Sequence, residues 1–355
     1  MSPRARALAA VCLAAALAMG IAGCRGAEEP AAEGSGGDAS GDAMRIELGV
    51  RPFLYNAPVY IALEEGYFAE EGLDVRVNMV GARAAQSMLM VERGDIDVLT
   101  GGIFLGLFNA INEGSDVRLV ADVAHFAADA CSPWALVAEE ELAASGRLSG
   151  PASLRGLRID MNPNISEGYF VDTYLRGGGL TLADIEIAEV PLAARQEAMN
   201  RASIDMTAIS EPWLNRILAD GHVVHVNANE VVPDLQFAAL IFGRSLLEDR
   251  REAGRRFVAG YLRGIRRYRE GKTARNMEIL RTTMQLSDEE LERACWPAVN
   301  EDGAIETGPL EDFQRWGMER GLIDRVLAPE EYYDASFLPG AQGTGPEVTP
   351  GPDTR

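Results

Sequence analysis

The chain has 355 residues, of which 47% are hydrophobic and 25% charged, with 54 Asp and Glu against 33 Lys and Arg and a formal net charge of −21. This acidic balance excludes a nucleic-acid-binding protein of the usual electrostatic kind, because such proteins need a basic face to neutralise phosphates. The apolar content is sufficient for a large core, which excludes a wholly disordered chain.

The N-terminal segment, residues 1–23, has the pattern of a secretion signal peptide. Arg4 and Arg6 form a short basic region, and the uncharged apolar stretch after them is too short for a comfortable membrane-spanning helix. The tetrapeptide at 21–24, Ile-Ala-Gly-Cys, resembles the bacterial lipobox, which implies cleavage before Cys24 and acylation of its thiol. An uncleaved anchor and a plain cleaved signal are the alternatives. We therefore expect an extracytoplasmic lipoprotein, held at the cell membrane by its lipid anchor.

Two segments have too little apolar content to fold. Residues 24–43 consist mainly of Gly, Ala, Ser and acidic residues and predict a flexible tether, and residues 340–355 predict a disordered tail. The folded body then keeps Cys131 and Cys295, because the other two cysteines lie in the signal and at the lipidation site. A disulfide is permitted outside the cytoplasm, but the spacing leaves open whether these two cysteines pair.

In the folded body, residues 44–339, strands alternate with helices. Pro58 in the first turn of a helix costs no hydrogen bond, and Gly66 ends that helix. The first series of predicted elements is a strand at 45–50, a helix at 57–65, a strand at 73–79, a helix at 84–93 and a strand at 97–100. This alternation predicts an α/β sheet with helices on its faces.

A second series of the same kind follows. Its predicted elements are strands at 134–137, 157–161, 185–190, 205–209 and 222–227 and helices at 166–175, 195–201 and 212–221. A last strand is predicted at 237–242, and residues 246–330 are predicted to be mostly helical. Two α/β units joined by two connections predict a two-lobed α/β protein with the second lobe inserted within the first. The strands at 134–137 and 237–242 are the predicted hinge.

Several short motifs occur in an order typical of one family. They are Ala57-Pro58-x-Tyr60-x-Ala62, the run 66–75 (GYFAEEGLDV), Gly94-Asp95-Ile96-Asp97, the run 154–159 (LRGLRI), Ile204-Asp205-Met206-Thr207-Ala208, Glu211-Pro212-Trp213, the run 319–323 (ERGLI) and the run 333–338 (YDASFL). Together they extend over residues 44–338 and resemble the solute-binding proteins of ABC importers, in the nitrate/sulfonate/taurine and thiamine-precursor (NMT1/THI5-like, SsuA-like) group.

The resemblance implies a periplasmic-binding-protein (type II) fold, with a cleft between two lobes joined by two crossing segments. We predict residues 44–133 plus 242–339 as lobe 1 and residues 134–241 as lobe 2. The implied function is that of a substrate-binding protein of an ABC transporter, which captures a small organic solute by hinge closure and delivers it to a permease in the cytoplasmic membrane. A monomer without cofactor, metal or nucleic-acid partner is expected.

Ligands of open α/β sheets bind outside the carboxyl ends of the strands, where loops lead into helices. Helix N-termini there favour anionic or carbonyl groups, so Ser166 could serve a ligand or cap its own helix. Glu211 could accept a ligand's hydrogen bond or stabilise a helix start. Arg83 is a further possible anion partner. The candidate ligand-binding residues are Arg51, Tyr55, Asn56, Thr100, Gly101, Gly102, Phe126, Trp134, Asn164, Ser166, Gly168, Tyr169 and Glu211.

Aromatic residues near these junctions bear on the expected solute. A planar solute could stack against Tyr55 or Tyr169, whereas Phe104 and Trp213 are expected to pack in the core. These rings favour a planar heterocycle, such as a thiamine-pyrimidine precursor or a flavin. The alternative is a sulfonate- or nitrate-type anion, which helix N-termini would favour. We prefer the heterocycle.

The sequence contains no recognisable catalytic or metal-binding motif. His222 and His225 are three positions apart in a predicted strand, so they point to opposite faces and cannot easily share a metal ion. No nucleophile elbow is present. We therefore expect a binding protein and not an enzyme. The alternatives are an enzyme or a sensory receptor on the same fold.

Overall fold

The structure is a computed structural model that describes residues 43–81 and 84–340. The predicted signal peptide, the lipidation site Cys24, nearly all of the tether and tail, and Arg83 lie outside the described residues. Within the described ranges, no helix combines the length and apolar character needed to cross a membrane.

The strands form two five-stranded sheets of the same design. They are β1 (Met44–Val50), β2 (Leu73–Met79), β3 (Val98–Gly102), β4 (Arg118–His125), β5 (Trp134–Ala138), β6 (Arg158–Asp160), β7 (Glu186–Ala188), β8 (Met206–Ser210), β9 (Val223–Asn227) and β10 (Gln236–Phe242). The first sheet has the order β2-β1-β3-β10-β4, and the second has the order β7-β6-β8-β5-β9. In the first sheet β10 is antiparallel to both neighbours, and in the second β5 is antiparallel to both of its neighbours.

Helices cover the sheets and fill the C-terminal region. They are α1 (Ala57–Glu64), α2 (Tyr67–Glu70), α3 (Ala84–Arg93), α4 (Leu105–Asn112), α5 (Glu140–Ala144), α6 (Ser166–Arg176), α7 (Arg195–Asn200), α8 (Trp213–Ala219), α9 (Ala228–Val231), α10 (Arg251–Arg269), α11 (Ala274–Met284), α12 (Asp288–Arg293), α13 (Gly308–Glu319) and α14 (Pro329–Tyr332). The long α10 packs closely on α1, where Gly264 leaves room for the backbone: a Cβ there would lie 2.4 Å from the Pro58 carbonyl oxygen.

The predicted alternation of strands and helices is confirmed, although the short helices α2, α5 and α9 and two longer elements were not predicted. The sequence analysis assigned no element to residues 105–125, where the structure has α4 and β4. Helix α1 ends before Gly66, whose φ of 75° lies in the left-handed region that glycine tolerates. The C-terminal region is helical as predicted, although residues 294–307 and 320–328 form no helix.

The chain passes between the sheets twice, through residues 126–133 and through residues 228–235, which include α9. Neither predicted hinge strand crosses, because β5 lies wholly in the second sheet and β10 wholly in the first. The predicted lobe boundary at residue 242 would assign most of β10 to lobe 2, whereas β10 pairs with β3 and β4 of the first sheet. The second sheet is nevertheless inserted within the first, as predicted.

A disulfide ties the first crossing segment to the C-terminal region. It joins Cys131 to Cys295, which are 164 positions apart in sequence, with the two Cα atoms 5.7 Å from each other. The structure thus answers the question that the cysteine spacing left open.

Candidate functional site

A small cavity lies between the two sheets, at the carboxyl edge of their parallel strands. Its volume is about 90 Å³. Its walls come from the loop after β1, the end of β3 and the start of α4, the start of α6, and the end of β8. The lining residues are Arg51, Phe53, Tyr55, Gly102, Ile103, Phe104, Trp134, Ile165, Ser166, Glu167, Ser210 and Phe237. This is the position at which open α/β sheets bind ligands.

The cavity brings together several of the predicted site residues: Arg51, Tyr55, Gly102, Trp134 and Ser166. Arg51 is 8% exposed, and its guanidinium lies beside the phenol of Tyr55. Burial raises the pKa of Tyr55 above its ordinary value of 10.0, and the nearby positive charge of Arg51 opposes that shift. The Tyr55 hydroxyl therefore stays protonated at neutral pH and is available as a hydrogen-bond donor.

A second group of predicted residues lies next to the lining residues but does not face the cavity. The Asn56 side-chain amide donates to the Arg51 carbonyl at 2.7 Å, and the Thr100 hydroxyl donates to the Gly49 carbonyl at 3.4 Å. At Gly101 a Cβ would lie 3.9 Å from Arg51 Nη2. The ring of Phe126 is fully buried behind the wall, with its centroid 4.7 Å from that of Phe237 and 5.8 Å from that of Trp134.

Four predicted residues do not line the cavity. Asn164 is exposed, and Gly168 is needed for a close approach, since a Cβ would lie 2.6 Å from the Pro163 carbonyl group. Tyr169 packs away from the cavity, with its ring 5.5 Å from those of Phe313 and Trp316. Glu211 faces the C-terminal region, where its carboxylate accepts from the Cys295 N–H at 3.1 Å and from the Asn215 amide at 2.7 Å.

The list of candidate ligand-binding residues missed other lining residues: Phe53, Ile103, Ile165, Glu167, Ser210 and Phe237. Phe104, expected in the core, is buried but also lines the cavity. The signal for Ser210 was present, because it ends a predicted strand at a junction of the favoured kind. Phe237 lies near the start of an antiparallel strand, so it occupies the carboxyl edge of the neighbouring parallel strands. A search for residues that follow the ends of strands does not find such a residue unless the direction of its strand is known.

Arg195, on the far side of the cavity wall, offsets part of the charge of Glu167. Arg195 is 8% exposed and lies 3.3 Å from the Glu167 carboxylate and 2.9 Å from Asp160. Burial raises the pKa of Asp160, whereas the Arg195 charge lowers it. Arg195 is shared between Glu167 and Asp160 and offsets their charge only in part, and the guanidinium of Arg51 adds a second positive charge at the cavity lining.

Two helices begin at the cavity wall without a capping side chain. The N-cap residues of α4 and α6 are Phe104 and Ile165, and neither makes a side-chain cap hydrogen bond. Ser166 does not cap α6 either, because its hydroxyl donates to the Ile103 carbonyl at 3.3 Å. The first-turn N–H groups of both helices thus favour negative charge at the cavity. Phe104 and Ile165 also form an antiparallel backbone bridge, which closes the cavity on this side.

No metal-binding cluster of three or more His, Cys, Asp or Glu residues occurs in the described ranges. His222 contacts Asn200 at 2.9 Å, and His225 contacts the Tyr174 hydroxyl at 2.9 Å, so the two imidazoles serve different neighbours. The described lining residues offer a guanidinium, a carboxylate, hydroxyls, backbone N–H groups and aromatic faces for binding.

Sequence comparison relates the chain to proteins of known name. Residues 40–282 match the model of a family described as NMT1-like. The bicarbonate-binding protein CmpA of Synechococcus elongatus is 26% identical over 214 residues, which are 50% of this chain and 43% of CmpA. The match thus spans less than half the length of this curated relative.

Solved structures share the fold at low sequence identity. The ligand-binding component of an ABC-type import system from Staphylococcus aureus, solved with zinc bound, has a TM-score of 0.69 at 14% identity, covering 83% of this chain and 97% of that one. The alkanesulfonate-binding protein SsuA from Xanthomonas axonopodis pv. citri, bound to MOPS, has a TM-score of 0.67 at 16% identity, with coverages of 82% and 98%. The desulfurization enzyme DSZB also shares the fold, with a TM-score of 0.61 at 12% identity and coverages of 83% and 97%. The predicted two-lobed type II fold is thereby confirmed.

Proposed function

Because the chain belongs to the NMT1-like family, we propose that it is an extracytoplasmic solute-binding lipoprotein of an ABC importer. It closes around a small anion and delivers it to a permease in the cytoplasmic membrane. Lipidation at Cys24 holds it at the membrane, and it acts as a monomer without a cofactor. The enzyme DSZB shows that this fold also hosts catalysis, but the lining residues here offer groups for binding, and we propose no turnover.

The observation that carries the proposal is the convergence of positive potential on the cavity. The buried guanidinium of Arg51 and the uncapped N-termini of α4 and α6 meet there, and Arg195 offsets part of the negative charge of Glu167 and Asp160. Such an arrangement stabilises a buried negative charge through both the helix dipoles and charge-assisted hydrogen bonds. It does so in a protein whose overall charge is −21.

The size of the cavity supports a small solute. A single water molecule needs about 10–15 Å³ of such space, so a cavity of about 90 Å³ has room for roughly six to nine non-hydrogen atoms. A flavin is far larger. The cavity volume argues against a flavin, and the names of CmpA and SsuA favour the anion alternative over the thiamine precursor. The candidate class is bicarbonate, nitrate and short sulfonates.

The test is a thermal-shift and calorimetric screen of the purified full-length protein. The panel contains bicarbonate, nitrate, short alkanesulfonates, a hydroxymethylpyrimidine and riboflavin. An anion present at a hundredfold its dissociation constant should stabilise the native state by about 2.7 kcal/mol. Arg51→Gln should abolish that shift, whereas Arg147→Gln, which changes an exposed arginine, should preserve it. Binding of the pyrimidine or riboflavin, with no anion bound, would contradict the proposal.

The lipid anchor has its own test. Mass spectrometry of the protein from membranes should show an acylated N-terminal Cys24, and Cys24→Ala should release the protein from the membrane fraction. An unmodified cysteine in membrane-purified protein would contradict this part of the proposal and leave the solute site unaffected.

A further inference from the structure

Helix α13 packs against a helix of each sheet. On one side it meets α4, which leads out of β3 of the first sheet. Gly317 of α13 lies so near this helix that a Cβ would be 2.6 Å from the Leu105 side chain, and the rings of Phe313 and Phe108 are 6.4 Å apart. This contact is apolar and buried.

On its other side α13 meets α6, which leads out of β6 of the second sheet. The indole N–H of Trp316 donates to the Asp172 carboxylate at 2.8 Å, and both side chains are buried, with relative exposures of 4% and 1%. The Tyr169 ring also packs on the Trp316 ring. At the surface, Arg176 lies 3.3 Å from Glu319. This contact therefore combines a charge-assisted hydrogen bond with an exposed ion pair.

The two helices held by α13 are the same two whose N-termini form the cavity wall. At those N-termini the segment after β3 touches the segment at the start of α6, through the Phe104–Ile165 backbone bridge and the bond from Ser166 to Ile103. The polypeptide crosses between the sheets elsewhere, at residues 126–133 and 228–235. Movement of the sheets about these crossings separates α4 from α6, and this requires α13 to leave one of them.

We propose that α13 is a latch that holds the cleft closed, with Trp316 and Asp172 as its positioning pair. The latch releases on the α6 side, because the α4 side is close-packed and apolar, whereas the α6 side combines the packing of Tyr169 on Trp316 with one buried hydrogen bond and one half-exposed ion pair. Water can replace both polar contacts when the helices separate. Opening of the solute cavity is thereby controlled from residues that do not touch the solute. The proposal uses the cavity of the proposed function but does not depend on the identity of the solute.

The test measures closure without any solute. Hydrogen–deuterium exchange at single-residue resolution on the full-length protein gives the protection of the amides at the Phe104–Ile165 bridge, which joins the segment after β3 to the segment at the start of α6. Trp316→Phe keeps an aromatic ring and removes the N–H donor. We expect exchange at the bridge to become roughly tenfold faster or more, the ratio that a hydrogen bond to a buried carboxylate corresponds to.

The matched control is Trp296→Phe. The Trp296 indole donates to the Leu291 carbonyl at 3.3 Å within the same C-terminal region, so its loss should leave the bridge amides unchanged. Unchanged protection in Trp316→Phe, or equal acceleration in both variants, would overturn the latch. If Trp316→Phe does not fold, Glu319→Gln decides: exchange about twofold faster supports the latch, and no acceleration refutes it. A failed anion screen would leave this result standing, since no solute is used.

Discussion

The buried carboxyl group of Glu211 should make the stability of the protein depend on pH. Burial raises the pKa of this group from 4.5 to about 7, although hydrogen bonds from the Cys295 and Asn215 N–H groups favour the ionised form. A carboxyl with a raised pKa in the folded state contributes stability at low pH and loses it as pH rises towards the folded value. At about 1.36 kcal/mol per pH unit of difference, the loss between pH 4.5 and pH 8 is about 3 kcal/mol.

The assay compares urea unfolding of the wild-type protein and Glu211→Gln between pH 5 and pH 8. Glutamine resembles the protonated carboxyl, so the variant should match the wild type near pH 5. It should become the more stable protein by up to about 3 kcal/mol at pH 8, because it escapes the ionisation cost. All other titrating groups are common to both proteins and cancel in the difference. The exposed Glu189→Gln is the control, with a pH-independent difference expected. A constant difference between Glu211→Gln and the wild type would refute the reasoning.

Three further changes have expected outcomes. Replacing Cys131 and Cys295 by serine opens a loop of 164 residues. The chain-entropy model predicts that the free energy of unfolding, measured by urea unfolding, falls by about 5 kcal/mol. A decrease below about 1 kcal/mol would contradict that model for this protein. Gly264→Ala should lower the thermal unfolding midpoint, because the new Cβ would lie 2.4 Å from the Pro58 carbonyl oxygen. Overpacking of this kind costs about 1–3 kcal/mol of stability. Gly308→Ala is the control, because no atom lies near the position of its Cβ. Arg195→Met removes the counter-charge of Asp160 and Glu167 and should lower the free energy of unfolding by about 3–5 kcal/mol. Much of this stability should be recovered at pH 4, because carboxylates protonate there.

Local pattern was enough to predict most of the fold. Strands β1 and β2 and the helices after them carry apolar periodicity with Pro and Gly at their ends, and these signals depend on near neighbours alone. Strand β4 was missed because its centre contains Asp122, a residue that is unfavourable in a buried strand. The structure accommodates that carboxylate through His125 at 2.8 Å and the Asn300 N–H at 2.7 Å. Asn300 is 178 positions away from Asp122, so the sequence around β4 does not indicate this partner.

The candidate site was predictable to the extent that it follows strand ends. Arg51 and Ser166 stand at such ends and line the cavity. Tyr169 stands one turn further along α6, where its ring packs on Phe313 and Trp316 of α13 instead of lining the cavity. Glu211 follows β8 as a ligand residue would, but the disulfide brings the C-terminal region over it. The contacts of Tyr169 with α13 and the disulfide near Glu211 therefore determine where these two side chains lie. Neither can be inferred from the position of a strand end.

The place of β10 in the first sheet has a consequence for how the chain folds. This strand separates β3 from β4, yet it is made after the whole of the second sheet, so β4 has no partner until residue 242 has emerged. The second sheet is contiguous from residue 134 to residue 227 and needs no later strand. When the chain becomes available from its N-terminus onwards, the second sheet can be completed before the first, while β3 and β4 have exposed edges that favour aggregation. Strand β4 therefore keeps unpaired backbone groups until residues 236–242 are available to pair with it.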